Sequence, residues 1–139
     1  MAVCPASVAA SAVRRSLIAV ASCSSSGRSF GSQRFCTWTD HETSAQAVAA
    51  ARSAGYRIVG IELAETARPL HEVDLSSPVC LAIGHEDRGL SKELLGSCDA
   101  LAYIPQLGRI GSLNVGTATA IACYEARRTA WTVDDDTPT

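Results

Sequence analysis

The 139-residue sequence is long enough for a single domain, and its 47% hydrophobic residues are sufficient for a buried core. The formal net charge of −2 at pH 7 provides no overall electrostatic attraction to nucleic acid. No apolar stretch reaches the roughly 18–20 residues of a membrane span, so we expect a soluble protein with no membrane contact.

The first part of the chain differs in composition from the rest. Residues 1–27 are rich in Ala and Ser, and residues 1–39 hold four arginines and no acidic residue. This composition is typical of an organelle transit peptide, and it also fits a chain that lacks its natural beginning, which we favour. No secondary structure is predicted for residues 1–27. We expect a cytoplasmic protein, or an organellar one if residues 1–39 act as a transit peptide.

The next segment predicts a strand followed by a helix. Aromatic and β-branched residues favour a strand over Gln33–Thr39. The alanine-rich residues 43–53 predict a helix. Thr39 or Asp40 is expected to cap its start, with Glu42 in its first turn.

A second strand follows this helix. Gly55 is expected to end the helix, and Tyr56–Glu62 predicts a strand. The connection from Ala64 to Ser76 is expected to include a helical turn within Pro69–Val73. Residues 134–139 are expected to be a disordered tail.

From Ser77 to Trp131 the order is strand, loop, helix, strand, loop, helix. The predicted elements are a strand at Val79–Ile83, a helix at Leu90–Leu95, a strand at Leu101–Ile104 and a helix from Ser112–Asn114 to Trp131. Val79–Ile83 is apolar throughout, as a central parallel strand covered on both faces should be. The alternation predicts an α/β fold with a mostly parallel sheet and flanking helices. Loops that follow such strands are where α/β proteins bind ligands.

The two loops of this stretch, at Ile83–Ser91 (IGHEDRGLS) and Ile104–Val115 (IPQLGRIGSLNV), carry a family resemblance. They resemble the second and third signature motifs of the SpoU/TrmH-type RNA 2'-O-ribose methyltransferases of the SPOUT superfamily. The resemblance is weak from Arg28 and strong from Thr37 to Trp131. It implies a partial methyltransferase domain at 28–133, which is N-terminally incomplete, with a C-terminal trefoil knot.

The resemblance also implies a ligand, partners and roles for particular residues. S-adenosyl-L-methionine would bind at Gly84, Ile104 and Leu113, between the loops 84–89 and 104–113. RNA, either tRNA or rRNA, would be the substrate, and two copies would pair through the C-terminal helix. No metal is implied.

Three further residues, Glu86, Ser112 and Asn114, match catalytic positions of the family, and Arg109 matches a position that could contact RNA phosphate. Simpler interpretations stay open for some of them. Glu86 suits a solvated loop, Arg109 suits an exposed loop, and Ser112 is a natural helix N-cap. His85 departs from the family pattern, and we interpret it as a tolerated loop residue.

A first family motif, near Asn-x-x-Gly-x-x-x-Arg, has no match in residues 1–36. No catalytic arginine is therefore assigned, and we expect little methyl transfer by this chain. The sequence accordingly indicates an S-adenosylmethionine-dependent RNA 2'-O-ribose methyltransferase, or a truncated form of one. A non-catalytic RNA-binding protein of the same fold and an unrelated α/β nucleotide-binding enzyme remain the alternatives.

The six cysteines form no CxxC pair, and Cys80 and Cys123 lie in apolar runs that predict small core residues. Each of the three histidines precedes a glutamate, but none has a second histidine four residues after it. A zinc site of the His-Glu-x-x-His type is therefore excluded.

Overall fold

The computed structural model of the chain describes residues 2–3, 18–22, 39–85, 87–108 and 113–131. Within these residues the chain forms one seven-stranded sheet in the order β3-β1-β2-β6-β4-β7-β5. The strands are β1 (Ala2–Val3), β2 (Ile18–Ser22), β3 (Thr39–Asp40), β4 (Arg57–Ile61), β5 (Arg68–Pro69), β6 (Val79–Ile83) and β7 (Ala100–Tyr103). Each pair of neighbours in the series β2-β6-β4-β7-β5 is parallel. Strand β1 is antiparallel to both of its neighbours, β2 and β3. The expected α/β class with a mostly parallel sheet is confirmed.

The central strand of this sheet is β6. Val79 pairs with Ile18 of β2 and with Arg57 of β4, and this register continues to Ile83. All five residues of β6 are buried, because helices cover both faces of the sheet. The prediction of a central, fully buried strand is confirmed.

Side chains of the parallel strands alternate between two apolar clusters, since successive residues of a strand point to opposite faces. One cluster lies under α1 (Ser44–Ser53) and α2 (Lys92–Gly96), and it includes Ile58, Cys80 and Ala82. The other lies under α3 (Val115–Trp131), and it includes Val59, Leu81, Ile83, Ala122 and Ala126. None of the described helices is long and apolar enough to cross a membrane.

The start of α1 differs from the prediction. The Thr43 side chain caps the helix by accepting a hydrogen bond from the Gln46 N–H at 3.2 Å. Thr39 and Asp40 do not cap it, because their main chain forms β3 and pairs with β1. Glu42 therefore precedes the cap rather than lying in the first turn.

Other predicted elements agree with the structure to within two residues. Gly55 follows the last turn of α1 with φ +84°, which confirms it as the terminating glycine. A 3₁₀ turn at Leu70–Glu72 confirms the expected helical turn. The short helix predicted at Leu90–Leu95 is α2, and it begins after the Ser91 cap. The strand predicted at Leu101–Ile104 is β7.

The amino-terminal residues contribute more to the sheet than the sequence predicts. Both β1 and β2 lie within residues 1–27, for which no secondary structure is expected, and β2 is a direct neighbour of the central strand. Of the strand predicted at Gln33–Thr39, residues 33–38 lie outside the described residues, as does the predicted tail at 134–139.

Candidate active site

A cleft of about 500 Å³ opens at the carboxyl ends of three adjacent parallel strands. Ile61 of β4, Ile83 of β6 and Tyr103 of β7 form its floor, and Val115 and Ala118 of α3 form one side. Its volume lies within the ~300–1,000 Å³ that is typical of small-molecule sites. The carboxyl edge of a parallel sheet is also the usual position of a ligand site in α/β proteins.

The loop after β6 forms one wall of this cleft as a tight, self-paired turn. The His85 N–H donates to the Gly89 carbonyl at 3.0 Å, and the Gly89 N–H donates to the His85 carbonyl at 2.8 Å. The Asp87 N–H donates to Nδ1 of His85 at 3.2 Å. Asp87 and Arg88 are exposed at the rim. The turn therefore holds ionisable side chains at the entrance to the cleft.

Gly84 is buried at the point where this turn begins. A Cβ atom added there would lie 2.5 Å from both the Gly89 carbonyl oxygen and the Leu90 nitrogen. The turn can close only because Gly84 has no side chain. Gly84 lines the cleft, as the resemblance implies, but its close contact is with the backbone of its own loop.

The opposite wall is formed by residues that follow β7. Ile104 and Leu113 are half-buried and face the cleft. Gly108 lies between them with φ +140°, a conformation that favours glycine. Together with Gly84, these residues bring all three positions expected to bind the donor to one cleft.

Asn114 begins α3. Its Oδ1 accepts hydrogen bonds from the Gly116 N–H at 2.9 Å and from the Thr117 N–H at 3.3 Å. These are the contacts of a helix N-cap, so Asn114 caps α3. Three of the expected site residues, Glu86, Arg109 and Ser112, lie outside the described residues.

The sequence matches the SpoU rRNA methylase family over residues 12–124. The chain belongs to this family. Among its relatives, the tRNA (guanosine(18)-2'-O)-methyltransferase of Escherichia coli (strain K12) is 35% identical over 98 residues, which are 70% of this chain and 43% of that protein. The enzyme of the same name from Thermus thermophilus is 39% identical over 74 residues, which are 53% of this chain and 38% of that protein. The chain thus spans less than half the length of these relatives.

Solved structures of RNA-modifying enzymes share this fold. The A. aeolicus TrmH/SpoU tRNA modifying enzyme matches with a TM-score of 0.61 at 32% identity, over 68% of this chain and 48% of that one. An AdoMet-bound rRNA methyltransferase from Sinorhizobium meliloti matches with a TM-score of 0.57 at 40% identity, over 61% of this chain and 33% of that one.

One residue of the SpoU cleft is missed by the sequence analysis. Glu62 follows β4, lines the cleft and accepts a hydrogen bond from the Leu90 N–H at 2.9 Å. An acidic residue directly after a buried apolar strand is the only local signal. That signal is weak, because most acids at strand ends are simply solvated.

The described thiols of this SpoU protein are core groups. Burial raises the pKa of Cys80 to about 12 and that of Cys98 to about 11, and it also raises the pKa of Cys123. The thiolate is the reactive form of cysteine, so these groups are inert at neutral pH. Cys80 is buried and Cys123 packs against the α3 cluster, which confirms both as small core residues.

In the part of the chain that the structure describes, no three His, Cys, Asp or Glu side chains are grouped to hold a metal ion.

Proposed function

We propose that this chain binds S-adenosyl-L-methionine in the cleft and belongs to an RNA 2'-O-ribose methyltransferase that acts on tRNA or rRNA. The observation that carries the proposal is the convergence of Gly84, Ile104 and Leu113 on one cleft at the sheet edge. These residues come from two loops about 20 residues apart, and the loops follow β6 and β7, which are both parallel to the β4 strand between them, so that their carboxyl ends lie at one edge of the sheet.

The cleft suits this donor in size and in chemistry. Half-buried apolar side chains of Ile104, Leu113 and Val115 offer a surface for an adenine ring. Polar and charged groups at the rim, on Asp87 and Arg88, suit the amino acid end of the donor. When bound, the donor supplies an activated methyl group for transfer to a ribose hydroxyl.

The remaining roles concern the acceptor. We propose that Glu86, Ser112 and Asn114 orient the ribose and the loops around it, and that Arg109 contacts RNA phosphate. A ribose 2'-hydroxyl is a poor nucleophile, and general acid–base assistance is typically worth ~10²–10⁴-fold in rate. Because residues 1–36 contain no match to the family's first-motif arginine, we expect weak transfer despite donor binding.

Family membership also supports two structural proposals. We propose that the segment from Ile104 into α3 passes through a loop to form the trefoil knot of the superfamily, for which the small residue Gly108 is suited. We also propose a homodimer through α3, whose outward side carries Ile121 and Tyr124 with 38% and 61% of their surfaces exposed.

Donor binding is tested by calorimetry. The Ala118→Phe variant places a ring in the cleft, since Ala118 of α3 lines it, and we expect it to abolish heat of S-adenosylmethionine binding. The matched control is Ala49→Phe, at an exposed position of α1, which should bind as the unsubstituted chain does. Equal donor affinity in the two variants would place the donor elsewhere.

The acceptor is tested with radiolabelled donor and total RNA. Radiolabel in ribose 2'-O-methyl groups of the RNA would support the proposed methyltransferase activity. Binding of RNA by a chain that binds no donor would instead support the alternative, a non-catalytic RNA-binding protein of the same fold.

A further inference from the structure

We propose that Glu62 is a positioning residue of the cleft: its carboxylate fixes the turn 84–89 in the shape that binds the donor. This inference rests on the proposed function for the ligand, but its structural part can be measured without any ligand. Glu62 belongs to neither signature loop.

Glu62 bonds both to β7 and to the residue that follows the turn after β6. It directly follows β4, and its N–H donates to the carbonyl of Ala102 in β7 at 2.9 Å. Its carboxylate accepts from the N–H of Leu90, just beyond the loop after β6, at 2.9 Å. The Glu62 side chain therefore ties the end of β4 to the residue that follows the turn 84–89, while its backbone N–H ties β4 to β7.

The turn is confined from two sides at Gly89. On one side, Gly84 leaves no space for a Cβ beside the Gly89 carbonyl. On the other side, a Cβ built on Gly89 would lie only 2.9 Å from Cδ of Glu62. Gly89 also has φ +63°, a conformation that favours glycine. The backbone of Gly89 is thus held between Gly84 and the Glu62 carboxylate.

Loss of this carboxylate would release the wall of the cleft. The Leu90 N–H would lose its acceptor in a part-buried place, and leaving such a donor unpaired is unfavourable. His85, Asp87 and Arg88 all belong to the turn that this bond restrains. A turn released from this bond would shift these three side chains relative to the cleft.

The hydrogen bond and the negative charge can be separated by two conservative variants. Glu62→Gln keeps an acceptor oxygen at the same reach but removes the charge. Glu62→Asp keeps the charge but withdraws the acceptor by about one C–C bond, ~1.5 Å. If Glu62 acts through its hydrogen bond, the Glu62→Gln variant should retain donor binding and the Glu62→Asp variant should lose it. If it acts by attracting the cationic donor, the order should reverse.

The test uses the full 139-residue chain and calorimetry with S-adenosylmethionine. We expect Glu62→Ala and Glu62→Asp to weaken donor binding by about tenfold, the equivalent of ~1.4 kcal/mol, and Glu62→Gln to stay within about threefold of the unsubstituted chain. Glu65→Ala, at an exposed position three residues further on, is the control and should change nothing. The proposal would be overturned if the Asp and Ala variants bound the donor as tightly as the unsubstituted chain. It would also be overturned if the Gln variant bound the donor as weakly as the Ala variant.

Amide hydrogen exchange provides the second readout, without donor. The Leu90 amide should lose protection in the Ala and Asp variants and keep it in the Gln variant. Unchanged protection in all three variants would refute the positioning role. If the unsubstituted chain binds no donor, the proposed function fails by itself, and the exchange of Leu90 still decides the role of Glu62.

Discussion

At Gly84 the main chain leaves β6 and, five residues later, passes back within contact distance of itself. The turn that forms one wall of the cleft can close only with glycine at this position, because a side chain would clash with Gly89 and Leu90. A larger residue such as valine would displace the turn rather than only fill the cleft. The consequence of a substitution here is therefore structural first, and the loss of donor binding follows from it.

We predict that Gly84→Ala lowers the free energy of unfolding by about 1–3 kcal/mol, the usual cost of overpacking. Donor affinity should fall with it. Urea titration measures the change, and Gly96→Ala is the control. Gly96 ends α2, and an added Cβ there meets nothing within 4 Å. The control should be neutral or up to about 1 kcal/mol more stable. Equal stability of the two variants would contradict this account of Gly84.

Residues of the cleft differ in how far the sequence could predict them. Gly84, Ile104 and Leu113 belong to two contiguous motifs, so their local order is enough to assign them to a site. Glu62 acts on Leu90, 28 positions away, and nothing beside it in the sequence indicates that partner. Its role follows from the parallel register of β4 and β6, which only the folded sheet supplies.

The helices illustrate the same distinction at the level of whole elements. Composition predicts the body of α1 and its terminating glycine, because both depend on neighbouring residues. Its start is misplaced, because Thr39 and Asp40 pair with β1, far away in the chain. β2 is missed for a related reason: Ile18–Ser22 has only two β-branched residues, and it is a strand because β6 lies beside it.

For α3 we predict that Asn114→Ala lowers the free energy of unfolding by about 1 kcal/mol, because the Gly116 and Thr117 N–H groups lose their acceptor. Asn114→Asp should remain within a few tenths of a kcal/mol, since aspartate caps as well and favours the helix dipole. Urea midpoints at unchanged slope measure both. An Ala variant as stable as the Asp variant would show that the cap is not formed. If Asn114→Asp keeps the stability of the unsubstituted chain, any loss of methyl transfer in that variant reflects chemistry rather than folding.

At the scale of the whole molecule, one side of α3 packs on the sheet and the other faces outward. Ala122 and Ala126 are fully buried, whereas Ile121 and Tyr124 are exposed. Apolar side chains on both sides of a helix favour a second packing partner. The proposed partner is another copy of the chain, and it would cover a surface that lies beside the cleft.

We predict that sedimentation gives a particle of about 29 kDa, twice the 14.5 kDa of the chain. Ile121→Asp should yield the monomer, because a charge would be buried in the interface. Ala49→Asp introduces the same charge at an exposed position of α1 and should remain dimeric. A monomer at micromolar concentration in the unsubstituted chain would refute the dimer.

The position of β2 beside β6 also predicts an order in which the sheet forms. Their paired residues lie roughly 60 positions apart, against roughly 20 for β4 and β6, and distant pairings form more slowly. During synthesis β2 is made before β6. Until β6 pairs with it, the backbone groups on that edge of β2 are open to other chains. We expect pulse-labelled hydrogen exchange to protect β4 and β6 before β2. Aggregation would then compete chiefly with the late entry of β2 into the sheet.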